Sequence, residues 1–95
     1  MARIYYIFTK TYYCNKITNQ AFDFDDKQTI LTKKDDNFDI PILFSSVENA
    51  RDYLENQLHL KEISFLNFKS DYHRINGDDM LFKFKRYTIK SLEID

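Results

Sequence analysis

The stretch KEISFLNFKSDYHRINGDDMLFKFKRYTIKSL, residues 61–92, contains two runs rich in apolar residues on either side of a short polar segment. That segment holds Gly77, the only glycine of the chain, directly after Asn76. An Asn-Gly pair between two apolar runs is a strong signal for a tight turn that joins antiparallel strands. The stretch therefore predicts one long β-hairpin, which comprises a third of the chain.

Two turns compete at this point, and they give different registers. A two-residue turn at Asn76-Gly77 places Phe68 opposite Lys85 and mixes apolar with charged side chains on both faces. A three-residue loop, Ile75 to Gly77, places Phe68 opposite Phe84 and uses glycine at its left-handed third position. Cross-strand pairs contribute about 0.2–1 kcal/mol each, so the second register is favoured. Its predicted pairs are Arg74–Asp78, Tyr72–Met80, Phe68–Phe84, Phe65–Tyr87 and Ile63–Ile89.

A basic surface forms near the tip of the hairpin in this register. Lys69 lies directly opposite Lys83, and Lys85 follows two residues along the same face. Like charges in direct opposition are destabilising, and sheets that bind single-stranded nucleic acid combine such cations with aromatic rings. The candidate binding residues are Lys69, His73, Lys83 and Lys85, with Tyr12 and Tyr13 as stacking groups. The alternative is a solvated lysine face that discourages pairing at a sheet edge.

The rest of the chain predicts further strands and one helix. Residues 3–8 include an apolar run typical of a central strand. Ser45 and Glu48 have the spacing of a capping box, and apolar residues at helical spacing follow until the helix ends near His59. The predicted fold is a small single α+β domain, residues 1–95, with one helix on a mainly antiparallel sheet of four to five strands in the order β-β-(β)-α-β-β.

Length and charge exclude several classes of protein. Ninety-five residues are enough for one core but not for a deep enzyme cleft beside it. A net charge of −1 gives no whole-molecule field that would attract DNA or membranes. A single cysteine, Cys14, excludes an internal disulfide and indicates a reducing compartment. No run of about 18 apolar residues is present, so we expect a cytoplasmic protein that has no membrane partner.

The composition also points to the kind of genome that encodes the chain. Phe occurs 9 times and Tyr 7 times, whereas Gly and Pro occur once each. Phe and Tyr have AT-rich codons, whereas Gly and Pro have GC-rich codons. The sequence therefore predicts a strongly AT-rich gene, as in low-GC bacteria, their phages and their mobile elements.

Two acidic segments are a second candidate surface. Asp35, Asn37 and Asp39 match the first three ligand positions of a calcium-binding loop. Ile40 and Ser46 stand where that loop needs glycine and glutamate, so solvated turns are the simpler interpretation. The alternative is a surface that imitates phosphates and blocks a nucleic-acid site on a partner. Its residues are Asp23, Asp25, Asp26, Asp35, Asp36 and Asp39.

No arrangement of reactive side chains predicts catalysis. Cys14, His59 and His73 are the only thiol and imidazoles, and their spacing matches no zinc site. Cys14 has no recognisable base partner in the sequence. A chain with one glycine cannot form a glycine-rich phosphate loop. We therefore expect no enzyme activity, no metal and no cofactor.

Two hypotheses for function follow. The first is a small non-catalytic protein-binding protein, because Tyr and Phe are favoured at interface cores. In the setting of an AT-rich phage or mobile element, such a protein would be an inhibitor or accessory factor, for example an anti-defence protein acting on a host nuclease complex in the host cytoplasm. Its partner would be a host protein or a protein–nucleic acid complex. The second is a single-stranded nucleic-acid-binding protein that uses the basic hairpin face.

Overall fold

Two strands of 14 residues each, β1 (Ala2–Asn15) and β9 (Leu81–Ile94), form the centre of the fold. They pair in antiparallel orientation along their whole length, from Ala2 opposite Ile94 to Asn15 opposite Leu81. Strands rise about 3.4 Å per residue, so a strand of this length is about as long as the longest dimension of the molecule, 48 Å. The apolar run in residues 3–8 thus lies in a central strand, as the sequence predicts.

The computed structural model describes residues 2–18, 20–22 (backbone only), 28–75, 77 and 80–94. The class is α+β with a mainly antiparallel sheet and one short helix, which confirms the predicted class, while the number and order of strands agree only roughly. The other elements are β2 (Gln20–Phe22), β3 (Thr29–Ile30), β4 (Thr32–Asp35), β5 (Phe38–Pro41), α1 (Val47–Asp52), its π-helical continuation (Tyr53–Gln57), β6 (Lys61–Ser64), β7 (Asn67–Lys69) and β8 (His73–Arg74).

The strands other than β1 and β9 flank the central pair. β2 and β3 pair with the outer edge of β1. β7 and β8 pair with the outer edge of β9, and β6 lies beyond β7. β4 and β5 form a separate two-stranded sheet. In the described part of the chain, the strands of the main sheet therefore follow the order β2, β1, β9, β7, β6, with β3 also beside β1 and β8 also beside β9.

The predicted hairpin is present in a shorter form, because β7 and β8 pair in antiparallel orientation with β9, but it does not extend over all of residues 61–92. The chain turns at Phe65-Leu66 to make a short β6–β7 hairpin, and β7 then pairs with β9. Phe68 opposes Tyr87, whereas the predicted partner was Phe84. The extensive pairing with β1 fixes which residues of β9 face the core, and burial of Phe68 then requires Tyr87 as its neighbour.

The predicted three-residue loop is also wrong. Ile75 donates its N–H to the carbonyl of Leu81, so the connection extends over residues 76–80. His73 opposes Lys83 and Arg74 opposes Phe82. None of the predicted pairs is formed among the described residues, and Asp78 lies outside them. Gly77 has a φ of 82°, which agrees with the left-handed conformation expected for this glycine.

The core lies between the helix and one face of the sheet. Ile7, Leu54 and Phe68 are completely buried, and Ile89 and Ala50 belong to the same cluster. Side chains in a strand alternate between the two faces, and residues directly opposite one another share a face. We call this side of the sheet the covered face. Its residues at the helix end of the sheet are Tyr5, Ile7, Phe68, Tyr87 and Ile89.

The helix begins one residue later than the sequence indicates. Ser46 is the N-cap, and its Oγ accepts the N–H of Asn49 at 3.1 Å. Ser45 instead accepts a hydrogen bond from the Asn49 side-chain amide, so the predicted Ser45–Glu48 capping box is not the cap. The helix ends at Gln57 with Leu58 as its C-cap, as expected near His59. No helix of the described residues is long and apolar enough to cross a membrane.

Candidate functional site

The face of the sheet opposite α1 carries a different set of side chains. Because Ile7 and Ile89 point toward the helix, the even-numbered residues of β1 and β9 point away from it. We call this side the open face. In the order of the strands, its central residues are Phe8, Lys10 and Tyr12 of β1, Phe84, Arg86, Thr88 and Lys90 of β9, Lys69 of β7 and Lys61 of β6.

Four cations lie in one line across the open face. Lys10 opposes Arg86, Arg86 opposes Lys69, and Lys69 opposes Lys61. Adjacent strands are about 4.8 Å apart, so this line extends over about 14 Å. We call these four residues the cation row. Each neighbouring pair brings like charges into direct opposition, which is destabilising in a sheet.

Three of the four charges of the cation row lack a carboxylate partner among the described residues. Within the described part of the chain, no ion pair joins Lys61, Lys69 or Arg86 to a carboxylate. The Nε atom of Arg86 is buried and has no hydrogen-bond partner among these residues. A buried donor without a partner is unfavourable by about 1–3 kcal/mol. Among the described residues, the centre of the row therefore contains a buried donor without a partner.

Aromatic rings lie on both sides of the cation row. Tyr12 and Phe84 stack with ring centroids 5.5 Å apart, and Tyr72 contacts Phe84 edge-on at 5.1 Å. On the other side, Lys90 Nζ lies 4.9 Å from the centroid of the Phe8 ring. Cations near ring faces are attracted to the ring quadrupole. The open face thus alternates aromatic groups and positive charges at the spacing of a strand.

A shallow depression of about 160 Å³ lies at the β1 end of the cation row. Its cations are Lys10, Arg86 and Lys90, and Phe8 and Tyr12 form its apolar surface. The described residues that border it include no carboxylate. The depression therefore offers positive charge and ring surface together, which suits an anionic ligand with planar groups.

The predicted binding residues separate onto the two faces. Lys69 and Tyr12 lie on the open face. The predicted opposition of Lys69 and Lys83 is wrong, because the register differs from the one predicted and Lys83 opposes His73 and Tyr13. The other predicted residues surround a second depression, of about 320 Å³, beyond the helix on the covered side. We call it the tip pocket, and its polar lining comprises Thr11, Tyr13, Ser70, His73, Lys83 and Lys85.

Tyr87 lies where the tip pocket meets the core. It borders the pocket and also packs against the buried cluster. Burial raises the pKa of its phenol above the usual value of 10.0, and the nearby Tyr53 raises it further. The neutral phenol is thus the form that the folded protein favours.

Three residues of the cation row were missed by the sequence analysis. Lys10, Lys61 and Arg86 join Lys69 only through the pairing of four strands. A partial signal was present, because Phe8, Lys10 and Tyr12 alternate with period two and place cation and rings on one face. The matching pattern in β9 has Arg86 two residues after Phe84.

The acidic candidate surface is only partly described. Asp23, Asp25 and Asp26 lie outside the described residues. Asp35, Asp36 and Asp39 are exposed and belong to the β4–β5 hairpin, where Asp36 has a φ of 54°. Of the residues that the structure describes, no group of three or more His, Cys, Asp or Glu side chains could hold a metal ion. Cys14, His59 and His73 are thus not brought together as ligands.

No protein-family model matches this chain, and neither a curated protein nor a solved structure is significantly similar to it. The function must therefore be argued from the geometry of the open face and the tip pocket.

Proposed function

We propose that this chain is a non-catalytic binding protein whose open face binds single-stranded nucleic acid. The observation that carries the proposal is the cation row, in which Lys10, Arg86, Lys69 and Lys61 oppose one another across four strands. Such a row is unfavourable for folding, and an anionic polymer along it would remove the repulsion. Salt-dependent contacts between cations and phosphates provide most of the affinity in nonspecific nucleic-acid binding.

The rings beside the cation row suit bases that are not paired. Tyr12 and Phe84 lie two residues along their strands from the row, a distance of about 7 Å, and Tyr72 contacts Phe84. Stacking of a base on an aromatic side chain contributes about 1–3 kcal/mol and tolerates any base. A single strand can expose its bases to these rings while its phosphates follow the cations. A duplex buries its base faces, so we expect weaker binding of double-stranded DNA.

Oligonucleotide binding to matched charge variants tests this proposal. The test variant is Lys69→Gln with Arg86→Gln, and the control is Lys33→Gln with Lys34→Gln on the exposed strand β4. Fluorescence anisotropy with a labelled single-stranded RNA or DNA at low salt should show binding at least about tenfold weaker for the test variant. The control should stay within about twofold of the native chain, although it loses the same charge.

The dependence of affinity on salt provides a second readout. For single strands, the slope of log K against log salt is about −0.7 for each neutralised phosphate. Three or four contacts predict a slope of about −2 to −3, and the test variant should reduce it by about 1.4. Absence of binding at low salt, or equal losses in the two variants, would contradict the proposal.

A second candidate function is binding of a host protein by the same open face. The observation in its favour is an apolar depression of about 260 Å³ at the opposite end of the face from the aromatic stack. Leu43 and Leu92 in its lining are 55% and 56% exposed. We propose on this basis an inhibitor or accessory factor of a phage or mobile element from an AT-rich bacterium, acting in the host cytoplasm, as the residue composition favours.

Capture from a low-GC bacterial lysate distinguishes this candidate. Native chain, a Leu92→Glu variant and an Ile17→Glu control are immobilised, and bound proteins are quantified by mass spectrometry. Ile17 is 72% exposed and does not line the apolar depression, so its substitution should change nothing. A partner enriched by the native chain and the control but lost with Leu92→Glu supports the candidate. Identical captured sets in all three samples contradict it.

A further inference from the structure

The tip pocket forms where the sheet extends past the helix. The helix and its continuation contain 11 residues, from Val47 to Gln57, which corresponds to about 16 Å at the rise of an α-helix. The central strands are roughly three times as long at about 3.4 Å per residue. Beyond Tyr87, the covered side of the sheet is therefore without helix, and its side chains change from apolar to polar and basic.

A local irregularity in the chain shapes one wall of this pocket. Ser70 donates its N–H to the carbonyl of Lys85, and its Oγ accepts the N–H of Lys85 at 2.8 Å. Three residues later, His73 opposes Lys83, only two residues from Lys85. The outer strand thus contains one extra residue, which is a β-bulge. Bulges bend the strand and redirect side chains, and they are common beside binding sites.

The described residues that line the pocket include two lysines and a histidine but no carboxylate. Lys83 and Lys85 lie two residues apart on one face of β9, about 7 Å apart along the strand. Neither lysine forms an ion pair with any residue in the described ranges. The imidazole of His73 lies beside Lys83, and Thr11 adds a hydroxyl opposite Lys85. These donors can surround the terminal oxygens of one phosphate group.

The size and walls of the pocket select among phosphorylated ligands. Its volume of about 320 Å³ exceeds the space needed for inorganic phosphate alone and falls at the lower end of small-molecule sites, which begin at about 300 Å³. The side chain of Tyr87 adds aromatic surface beside the cations. A ligand that fills the pocket thus needs a phosphate group and a planar ring.

We infer that the tip pocket binds a nucleotide phosphomonoester through Lys83, Lys85, His73 and Thr11. The ligand is either a free nucleoside monophosphate or the phosphorylated end of a strand, because both present the same group. This site lies on the other side of the sheet from the cation row and does not depend on the function proposed for the open face.

The test uses the full chain labelled with ¹⁵N and titrations followed by amide shifts. Probes are AMP, adenosine, and one oligonucleotide with and without a 5′-phosphate. AMP or the phosphorylated oligonucleotide should shift the amides of Thr11, Lys83 and Lys85, and adenosine should bind at least about tenfold more weakly because hydrogen bonds to charged groups are lost. Shifts with AMP identify a free nucleotide as the ligand, and shifts with the phosphorylated oligonucleotide alone identify a strand end.

Two double variants separate this site from the open face. Lys83→Gln with Lys85→Gln should weaken the phosphate-dependent binding at least about tenfold, whereas Lys69→Gln with Arg86→Gln should leave it within about twofold. The unphosphorylated oligonucleotide reports on the open face alone, so failure of either site is visible separately. The inference is overturned if neither phosphorylated probe shifts these amides, if adenosine equals AMP, or if Lys83→Gln with Lys85→Gln has no effect.

Discussion

The helix end of the covered face and the open face differ in how their arginines are paired. On the covered side, Arg51 forms ion pairs with Glu55 at 3.0 Å and Glu62 at 2.8 Å, and it lies over the Phe65 ring. On the open face, Arg86 lies between Lys10 and Lys69 and has a buried Nε without a partner among the described residues. The first arginine is fully explained by folding, whereas the second is not.

This contrast indicates which face of the sheet bears on function. Burial of apolar surface stabilises by about 25 cal/mol per Å², and the helix end of the covered face combines such burial with the ion pairs of Arg51. The open face has a line of like charges and, among the described residues, a buried donor without a partner, and both features oppose folding. Binding of an anion is a physical reason for the chain to retain them.

The largest effect is expected from the covered face. Phe68 is completely buried, and Phe→Ala substitutions at such sites reduce the free energy of unfolding by about 3–5 kcal/mol. Phe68→Ala should therefore shift urea unfolding to much lower concentration or prevent folding. Lys69→Ala, one residue later on the open face, is the matched control and should not lower the free energy of unfolding, because it removes two like-charge pairs, with Arg86 and Lys61. Similar losses in both variants would contradict the assignment of the faces.

A smaller effect of opposite sign is expected from the cation row. Arg86→Met keeps the aliphatic stem and removes the charge that opposes Lys10 and Lys69. Two like-charge pairs at about 0.2–1 kcal/mol each predict a gain near 1 kcal/mol in the free energy of unfolding. Salt screens exposed charges, so the gain measured by urea unfolding should decrease with salt. A clear loss of stability would instead show that Arg86 is needed for the fold.

A substitution at the end of the helix is expected to raise the free energy of unfolding by a similar amount. His59 follows the helix with a φ of 54°, a left-handed conformation that is unfavourable by about 1–2 kcal/mol for residues with a Cβ. His59→Gly relieves this strain but adds freedom to the unfolded chain, so we expect a gain of about 0.5–1 kcal/mol. Gly77→Ala is the reverse control, because Gly77 has a φ of 82°. The Gly77→Ala substitution should lower the free energy of unfolding by about 1 kcal/mol, measured by thermal or urea unfolding as for His59→Gly.

The sequence was sufficient for the class, the helix and the central strand. The apolar run in residues 3–8 and the spacing from Val47 to Leu58 are local patterns, and local patterns survive in the fold. Ser46 replaced Ser45 as the cap because two adjacent serines present the same chemistry. The left-handed Gly77 was also predictable, since the only glycine stood in a turn.

The register and the cation row could not be obtained in the same way. The comparison of hairpin registers considered two strands, whereas the faces of β9 are determined by its pairing with β1. Lys10 and Arg86 are far apart in the chain, and nothing near either residue indicates the other. Long-range strand pairing is the step that single-sequence reasoning lacks, so Lys69 was recognised and its three partners in the row were not.

The smallest effect concerns the boundary between the core and the tip pocket. Burial raises the pKa of Tyr87 above its usual value of 10.0 in the folded state. Between pH 10 and this raised pKa, the unfolded state has released the proton and the folded state still holds it, so the free energy of unfolding falls as pH rises. Below pH 10 both states keep the proton, and this part of the stability is fully present. Tyr87→Phe removes the titration, so urea midpoints should fall less between about pH 9.5 and 11 than in the native chain. Tyr72→Phe, at a tyrosine that is 50% exposed, is the control and should follow the native profile. If the two variants have the same profile, the phenol of Tyr87 is not held neutral by the core.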